Sequence, residues 1–318
     1  MNIIFDGNYL YHVTWAVFCK YHRDEDLTEV LSKKENQQVL MRKLIIDMCF
    51  AINKFRDVEK VVVVFDRKSW RYNLHEDYKY ALTKVQNKDH KVFEDGLDAF
   101  EKFLRKKKLI VSRITGAEGD DLIYGYAEYY GNIEKVPTVI VTADSDIRQL
   151  VTDRVSVFCN AAKSLKYFKT AKTKLEPEKI FADRTGIEIE TIDPLKIVLK
   201  KIFLGDKSDN IPSIKRGFGE KAFDKFYDTL GTEIRDCDFD FMCSYICSKF
   251  VSLTSSTEEY YETLKRIRFN AKMVWLNYEA LQYSGIAEQI FDEIEKQRDT
   301  YDYHKGFTLE DFYGMLIK

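Results

Sequence analysis

The sequence predicts an α/β protein with a parallel sheet, followed by a mainly helical part. Between residues 3 and 159, short apolar runs have the β-branched and aromatic character of buried strands, and amphipathic segments separate them. Strands that alternate with helices are typical of a parallel sheet. After about residue 175 the alternation stops, and the chain is predicted to be mainly helical up to residue 318.

The strands are predicted at residues 3–5, 61–65, 109–111, 138–141 and 155–159. Helical spacing of apolar residues predicts helices at 8–21, 39–55 and 93–107, with two more starting near residues 118 and 145. The polar stretch 23–35 is predicted to be a loop. These elements position the acidic motifs that follow.

Three of the apolar runs end in aspartate. They read IIFD, VVVVFD and VIVTADSD, and they supply Asp6, Asp66, Asp144 and Asp146. Because the carboxyl ends of parallel strands share one edge of the sheet, these side chains are expected to meet there. A second acidic motif, GAEGDD, lies between the second and third runs and opens a predicted helix. It supplies three more carboxylates: Glu118, Asp120 and Asp121.

Clustered carboxylates predict a cation site. Like charges within a few ångströms repel one another, and a cation removes that cost. Hard divalent cations such as Mg²⁺ take oxygen ligands. A single Asp after a strand is usually a turn or a helix cap, but three such ends around an acidic helix start favour a magnesium site.

Composition is that of an ordinary globular protein, with 45% hydrophobic and 32% charged residues. No apolar run is long enough for a membrane span and no signal peptide opens the chain, so a cytoplasmic protein is expected. The six cysteines form no CxxC pair, which indicates buried thiols rather than a disulfide framework. No histidine lies near the last three cysteines, and a zinc site is disfavoured.

Local charge favours nucleic acid even though the net charge is −2. If the predicted site carboxylates are committed to metal, the rest of the chain is positive. The stretch 160–174 has five lysines and no acid, and 67–91 has seven Lys or Arg against three acids. Clustered positive charge is typical of phosphate binding, although a solvated basic face is the alternative for either run alone.

The helical part opens with two further motifs. The turn LGDKSDNIP, residues 204–212, carries Asp206 and Asp209. The segment SIKRGFGEKAFDKF, residues 213–226, places Gly217 and Gly219 before a helix with Lys221 in its first turn. Glycines beside a helix N-terminus let backbone N–H groups approach a phosphate. A helix C-cap and turn would produce the same pair of glycines.

Taken together and in this order, FDGNYL, VVVVFD, GAEGDD, VTADSD, FLGDKSDNIP and GFGEKAF resemble the 5′-nuclease superfamily, and within it the T-even phage ribonuclease H type. The resemblance covers most of residues 1–225. It implies a PIN-like nuclease core over residues 1–175, with a helical arch at about 67–108. It also implies a DNA-binding domain over 176–318, with a helix–three-turn–helix motif at about 196–228.

The resemblance also implies residue roles. Two Mg²⁺ ions, for which Mn²⁺ substitutes, would be bound, the first of them by Asp6, Asp66, Glu118 and Asp120. The second would involve Asp144, Asp146 and Asp209, with Asp121 and Asp206 nearby. Arg71 and Lys79 have the eight-residue spacing of the family's catalytic arch cations. Duplex DNA, together with a potassium ion, would be bound at one turn, by Lys215, Arg216, Gly217, Gly219 and Lys221.

The expected function is a structure-specific 5′–3′ exonuclease and flap endonuclease. By family analogy it removes RNA primers and flaps from branched or nicked DNA and from RNA–DNA duplexes during phage replication, as a monomer. The alternatives are a non-catalytic DNA-binding module and a PIN-fold ribonuclease. A single-strand-binding protein is a further expected partner. A sliding clamp is expected as well, because residues 309–313 (LEDFY) are similar to clamp-binding peptides. An amphipathic last helix that packs on the body is the alternative for that segment.

Overall fold

The structure is a computed structural model. It describes residues 1–79, 88–107, 109–160, 165–173, 178–231, 238–251, 255–300 and 314. The chain divides into two compact units. Unit 1 contains Met1–Ser69, Val85–Ile192 and Glu288–Lys318, and unit 2 contains Trp70–Lys84 and Asp193–Ala287. The two units do not meet at a single boundary near residue 175. The start of the predicted arch, Trp70–Lys84, groups with the helical part, while residues up to Ile192 and from Glu288 onwards group with the sheet.

Unit 1 is built on a seven-stranded sheet with the order β3-β2-β1-β4-β5-β6-β7. The strands are β1 (Asn2–Asp6), β2 (Lys60–Val64), β3 (Ile110–Ser112), β4 (Thr138–Val141), β5 (Val155–Cys159), β6 (Lys166–Lys169) and β7 (Glu188–Thr191). The first five pair in parallel, β6 is antiparallel to β5, and β7 is parallel to β6. The α/β fold class predicted from the sequence is confirmed.

The helices of unit 1 cover both faces of this sheet. The α-helices are α1 (Gly7–Tyr21), α2 (Leu27–Ser32), α3 (Lys34–Ile52), α4 (Lys88–Lys106), α5 (Gly119–Ala127) and α6 (Glu178–Thr185). Glu128–Ile133 is a π-helix, and the helix predicted from residue 145 is a short 3₁₀ helix at Asp146–Leu150. On one face, α1, α3 and α4 enclose a core with the fully buried Phe5, Phe65 and Phe100. A later helix, α12 (Ile286–Thr300), packs on α5, where Ile290 lies against Gly125.

Two parts of unit 1 differ from the sequence prediction. Residues 27–32 form α2 although 23–35 was predicted to be a loop, because Asp26 caps the helix by accepting a hydrogen bond from the Thr28 N–H. Strands β6 and β7 were not predicted. Their sequences, KYFK and EIET, mix charged and apolar residues within four positions, so neither has the continuous apolar run used to identify the inner strands.

Unit 2 is mainly helical. Its helices are α7 (Pro194–Leu204), α8 (Glu220–Tyr227), α9 (Phe239–Phe250), α10 (Thr257–Val274) and α11 (Tyr278–Gln282), with a short 3₁₀ helix at Trp70–Asn73. Its core includes the buried Phe203, Phe223 and Ile246. The Asn270 side chain donates to the carbonyl oxygens of Ile202 and Pro212 at 2.8 Å each, which fixes the chain that leaves α7.

A candidate metal centre at the carboxyl edge of the sheet

The strand register brings three acidic strand ends to one edge. Asp6 is the last residue of β1 and pairs with Val64, two residues before Asp66. On the other side of β1, Phe5 pairs with Val141, three residues before Asp144. Sequence separations of about 60 and 80 residues therefore collapse into neighbouring positions, as the motif pattern predicted.

The fourth acidic segment joins this edge through the start of helix α5. Glu118 is the cap residue and Asp120 lies in the first turn. The Gly119 N–H donates to a carboxylate oxygen of Asp66 at 2.5 Å. A Cβ on Gly119 would lie 2.8 Å from the same oxygen, so only glycine allows this approach. A larger residue at position 119 would push the Asp66 carboxylate away from this position.

The carboxylates at this edge raise one another's pKa values, which shows that they lie within electrostatic reach of each other. Burial raises the pKa of Asp6 to about 7, and the negative charge of Asp66 adds to the effect. Burial also raises the pKa of Asp120 well above its usual value, and Asp144, Asp6, Asp66 and Glu118 reinforce the shift. Five carboxylates from four segments thus repel one another at this edge.

Such an all-oxygen donor set fits a hard divalent cation. Within the parts of the chain that the structure describes, no three His, Cys, Asp or Glu side chains converge closely enough to hold a metal ion together. The carboxylates influence one another electrostatically, but several of them would have to move closer together to coordinate one cation. A bound cation would offset the repulsion that raises the pKa values of Asp6 and Asp120.

Two of the predicted ligands also serve their own loops. Asp121 is fully buried, and its carboxylate accepts the Glu118 N–H at 3.1 Å, so it completes the cap of α5. The Asp146 N–H donates to the Asp144 carboxylate at 2.8 Å. Their roles as metal ligands stay predictions.

Polar neighbours hold the acidic side chains in place. Ser69 donates to Glu118 at 2.7 Å, Thr142 donates to Asp6 at 2.9 Å, and the Asn8 side chain accepts the Asp66 N–H at 3.0 Å. Sequence reasoning did not assign a role to these residues. Asn8 and Thr142 stand inside the FDGNYL and VTADSD motifs, which was the available signal.

The other two predicted metal ligands lie in unit 2. Asp206 accepts from Lys201 at 2.5 Å and from the Ser208 N–H at 2.8 Å through its two carboxylate oxygens. Burial alone would raise the pKa of Asp206, but the hydrogen bonds from Lys201 and Ser208 lower it to about 2. Asp206 therefore organises the turn after α7. The Asp209 carbonyl oxygen accepts the Lys79 N–H at 3.4 Å.

The predicted catalytic cations occupy different environments in unit 2. Arg71 is 2% exposed, its Nε donates to the Met273 carbonyl oxygen at 2.9 Å, and its guanidinium lies 4.7 Å from the Trp70 ring centroid. Lys79 is half-buried, with its Nζ 5.1 Å from the Tyr78 ring centroid. Arg71 is thus a packed residue as well as a cation.

The predicted duplex-binding turn is exposed. Lys215, Arg216, Gly217, Gly219 and Lys221 are all solvent-accessible. Gly217 has a φ of +80°, a conformation that L side chains rarely adopt, and Gly219 caps α8. Basic side chains and an open helix N-terminus at one turn can bind phosphate.

Some predictions fall outside the described residues or concern the whole chain. The clamp-like segment 309–313 and Cys237 lie outside the described residues. The other five cysteines are free thiols, and four of them are buried. Across the described part of the chain, no helix has the length and apolar character to cross a membrane.

The fold and the acidic edge define a class of nuclease. A family model described as "5'-3' exonuclease, N-terminal resolvase-like domain" matches residues 2–182, and the chain belongs to this family. Among its relatives, the flap endonuclease Xni of Pseudoalteromonas translucida is 24% identical over 265 residues, which are 79% of this chain and 91% of that protein. The 5′–3′ exonuclease of Buchnera aphidicola from Schizaphis graminum is 26% identical over 67% of this chain and 65% of its own length.

Solved structures agree on the fold. The 5′-exonuclease of bacteriophage T5 with bound zinc superposes with a TM-score of 0.57 at 16% identity, over 99% of this chain and 100% of that chain. The T5 flap endonuclease in a complex with DNA and metal ions gives 0.55 at 14% identity, over 100% and 99%. At such identities the likeness establishes the fold alone.

Proposed function

We propose that this protein is a divalent-metal-dependent 5′–3′ exonuclease and flap endonuclease, which hydrolyses phosphodiester bonds near the 5′ end of a branched or nicked duplex. The observation that carries the proposal is the group of five carboxylates at the carboxyl edge of the sheet, where burial and mutual repulsion raise the pKa of Asp6 to about 7. The family assignment supports the reaction class.

The proposed metal set is the one that the family resemblance implies. Asp6, Asp66, Glu118 and Asp120 would bind one Mg²⁺, and Asp144 with Asp146 would contribute to a second. When bound, such ions supply a hydroxide nucleophile and stabilise the attacking and leaving oxygens. The family pattern adds Asp209 as a ligand, while Asp206 is satisfied within its own turn and would act through water.

The chain's cations would act on the substrate phosphates. Arg71 and Lys79 would stabilise the negative charge that builds on the scissile phosphate. Lys215, Arg216 and Lys221 would bind the duplex backbone, with a potassium ion at the Gly217 turn. Primer removal during phage replication, RNA–DNA hybrids as substrates, monomeric action in the cytoplasm, and sliding-clamp and single-strand-binding partners are further parts of the proposal taken from the family resemblance.

The test is cleavage of 5′-flap, nicked and single-stranded DNA, and of an RNA–DNA hybrid, with Mg²⁺ or with EDTA. Asp144→Asn and Asp146→Asn should each lower turnover by far more than about tenfold, because losing a metal removes several kcal/mol of transition-state stabilisation. Flap affinity measured in EDTA should stay near that of the wild type. Asp153→Asn is the matched control, an exposed carboxylate at which the same change should leave activity intact.

Two other results of these cleavage assays would favour the alternative functions, and a third would exclude the proposed metal ligands. If the wild type binds flaps but cleaves nothing with Mg²⁺ or Mn²⁺, the protein is a non-catalytic binding module. If it cleaves single-stranded RNA in preference to every duplex, it is a PIN-fold ribonuclease. Near-normal turnover by both Asn variants would rule out the proposed metal set.

A further inference from the structure

Arg113 connects three elements of unit 1. It follows strand β3 directly, and its side chain is 5% exposed. Its Nη1 contacts the carboxylates of Asp98 at 2.5 Å and Glu101 at 2.7 Å, both on helix α4. Its Nε donates to the carbonyl oxygen of Asp66 at 3.0 Å. One guanidinium therefore joins α4 to the backbone of a proposed metal ligand.

Asp66 is held from every side by such contacts. Its N–H is bound by the Asn8 side chain at 3.0 Å, its carbonyl oxygen by Arg113, and its carboxylate by the Gly119 N–H. Asp66 lies past the last residue of β2, and the Arg67 N–H of the peptide unit that follows it donates to the Ala117 carbonyl oxygen at 3.0 Å. Arg113 therefore holds the carbonyl oxygen of a peptide unit whose N–H is also bound, and the two contacts together set the direction in which Asp66 leaves the strand.

On α4, Glu101 is bound by a second arginine besides Arg113. Glu101 is 14% exposed and also accepts from Arg105, one turn further along α4, at 2.9 Å. Burial opposes the charge of Glu101, but hydrogen bonds from Arg113 and Arg105 hold its pKa below the usual value. Arg113 thus has an ionised partner in Glu101, and the fixed fork of a guanidinium can serve the carboxylates and the carbonyl at once.

We propose that Arg113 is a positioning residue that couples helix α4 to Asp66 and thereby sets the affinity of the metal centre. The inference deepens the proposed function and rests on it. Groups that orient metal ligands typically change metal affinity or activity by about 10- to 100-fold when they are removed. Helix α4 belongs to the predicted arch, so Arg113 would link the arch to the metal centre.

The test compares three variants of the full chain. Arg113→Met removes the guanidinium, and Arg113→Lys keeps the charge without the fork. Arg105→Met is the control: Arg105 also binds Glu101, but the hydrogen bond to the Asp66 carbonyl oxygen comes from Arg113. Mg²⁺ and Mn²⁺ binding is measured by isothermal titration calorimetry without DNA. Flap cleavage is then measured across Mg²⁺ concentrations, and melting is followed by circular dichroism.

For Arg113→Met, the dissociation constant for the metal and the half-saturating Mg²⁺ concentration should rise about tenfold or more, with KM for the flap unchanged. Turnover should recover at high Mg²⁺. Arg113→Lys should lie between this variant and the wild type, and Arg105→Met should stay within about twofold of the wild type, because the Asp66 contact survives in it.

Unchanged metal binding in Arg113→Met would overturn the proposal, as would an equal shift in Arg105→Met. If Arg113→Met does not fold, the metal affinity of Arg113→Lys is the test. A wild-type metal affinity in Arg113→Lys would then count against the proposal. If the wild type binds metal but cleaves no DNA, the proposed function fails while the calorimetric comparison still judges the role of Arg113.

Discussion

At the scale of single residues, the buried carboxylate of Asp6 lowers the stability of the folded protein at neutral pH. Asp6 is an aspartate whose pKa is about 7 instead of 3.8. The folded chain therefore keeps a proton that the unfolded chain has released across this pH range. Stability from this group is present below pH 3.8 and is lost as the pH rises towards 7. Carboxylates are kept here although they oppose folding, which is typical of a functional site.

Asp6→Asn should therefore stabilise the metal-free protein. At pH 8 in EDTA the melting temperature should rise by a few degrees, because an uncharged side chain replaces a buried, repelled carboxylate. At pH 4 the gain should be much smaller, since Asp6 is then protonated in the wild type. Thermal melts by circular dichroism across this pH range check the prediction.

The same thermal melts are repeated with Mg²⁺ in place of EDTA. Mg²⁺ should raise the melting temperature of the wild type at pH 8 but have little effect on Asp6→Asn, because a cation that binds only the folded state stabilises it. Asp153→Asn is the control and should follow the wild type throughout. A lower melting temperature for metal-free Asp6→Asn at pH 8 would contradict the assignment of a repulsive site.

At the scale of elements, the base of the predicted arch is fastened to the turn after α7. Tyr78 is 3% exposed and packs in one cluster with Ile211 and Met273. The His75 ring nitrogen contacts the Asn210 carbonyl oxygen at 3.0 Å, and the Asn210 side chain donates to the Asp77 carbonyl oxygen at 3.3 Å. Residues 70–79 are therefore packed into unit 2, and Arg71 and Lys79 are positioned by its contacts.

Because Arg71 is buried and Lys79 is only half-buried, replacing them with alanine should have different effects on stability. Arg71→Ala and Lys79→Ala should each lower kcat for flap cleavage by about tenfold or more while flap affinity changes little, because both cations are proposed to act on charge that develops in the transition state. Only Arg71→Ala should also lower the melting temperature, since it removes a buried side chain and leaves the Met273 carbonyl oxygen without this donor.

Steady-state kinetics together with thermal melts test both statements. Arg71→Lys is the matched control, because it keeps the charge and loses the planar contact with Trp70. If either alanine variant raised KM and left kcat unchanged, that residue would be an ordinary phosphate contact.

At the scale of the whole molecule, the net charge of −2 is the sum of acidic and basic clusters that lie in different parts of the sequence. Five carboxylates lie at the carboxyl edge of the sheet in unit 1, while Lys215, Arg216 and Lys221 are exposed at one turn of unit 2. Contacts to phosphates release counterions and carry no base information. Duplex binding is therefore expected to be independent of sequence and to weaken steeply with salt.

Replacing Lys215, Arg216 and Lys221 together with alanine should lower affinity for flap and nicked duplexes. The slope of log affinity against log salt should fall by roughly one unit per lost contact. Affinity for isolated single strands should barely change, because the arch is proposed to hold those. Salt titrations in metal-free buffer measure both, and equal losses on single-stranded and duplex DNA would show that this turn is not the duplex anchor.

The sequence by itself determined the parallel inner sheet and the acidic edge. Continuous apolar runs are needed wherever a strand is buried on both faces, so β1, β2 and β4 were visible in the chain. Parallel pairing then places the residues that follow each run at one edge, which is why Asp6, Asp66 and Asp144 could be grouped before any coordinates.

Only the tertiary structure decided what surrounds those residues. The hydrogen bonds from Ser69 to Glu118 and from Arg113 to Asp66 join residues 49 and 47 positions apart, and common residue types carry no local signal for such partners. The burial of Arg71 depends on Met273, 202 positions further along the chain. Periodicity reports which face of an element is buried, but long-range packing alone decides which polar groups meet there.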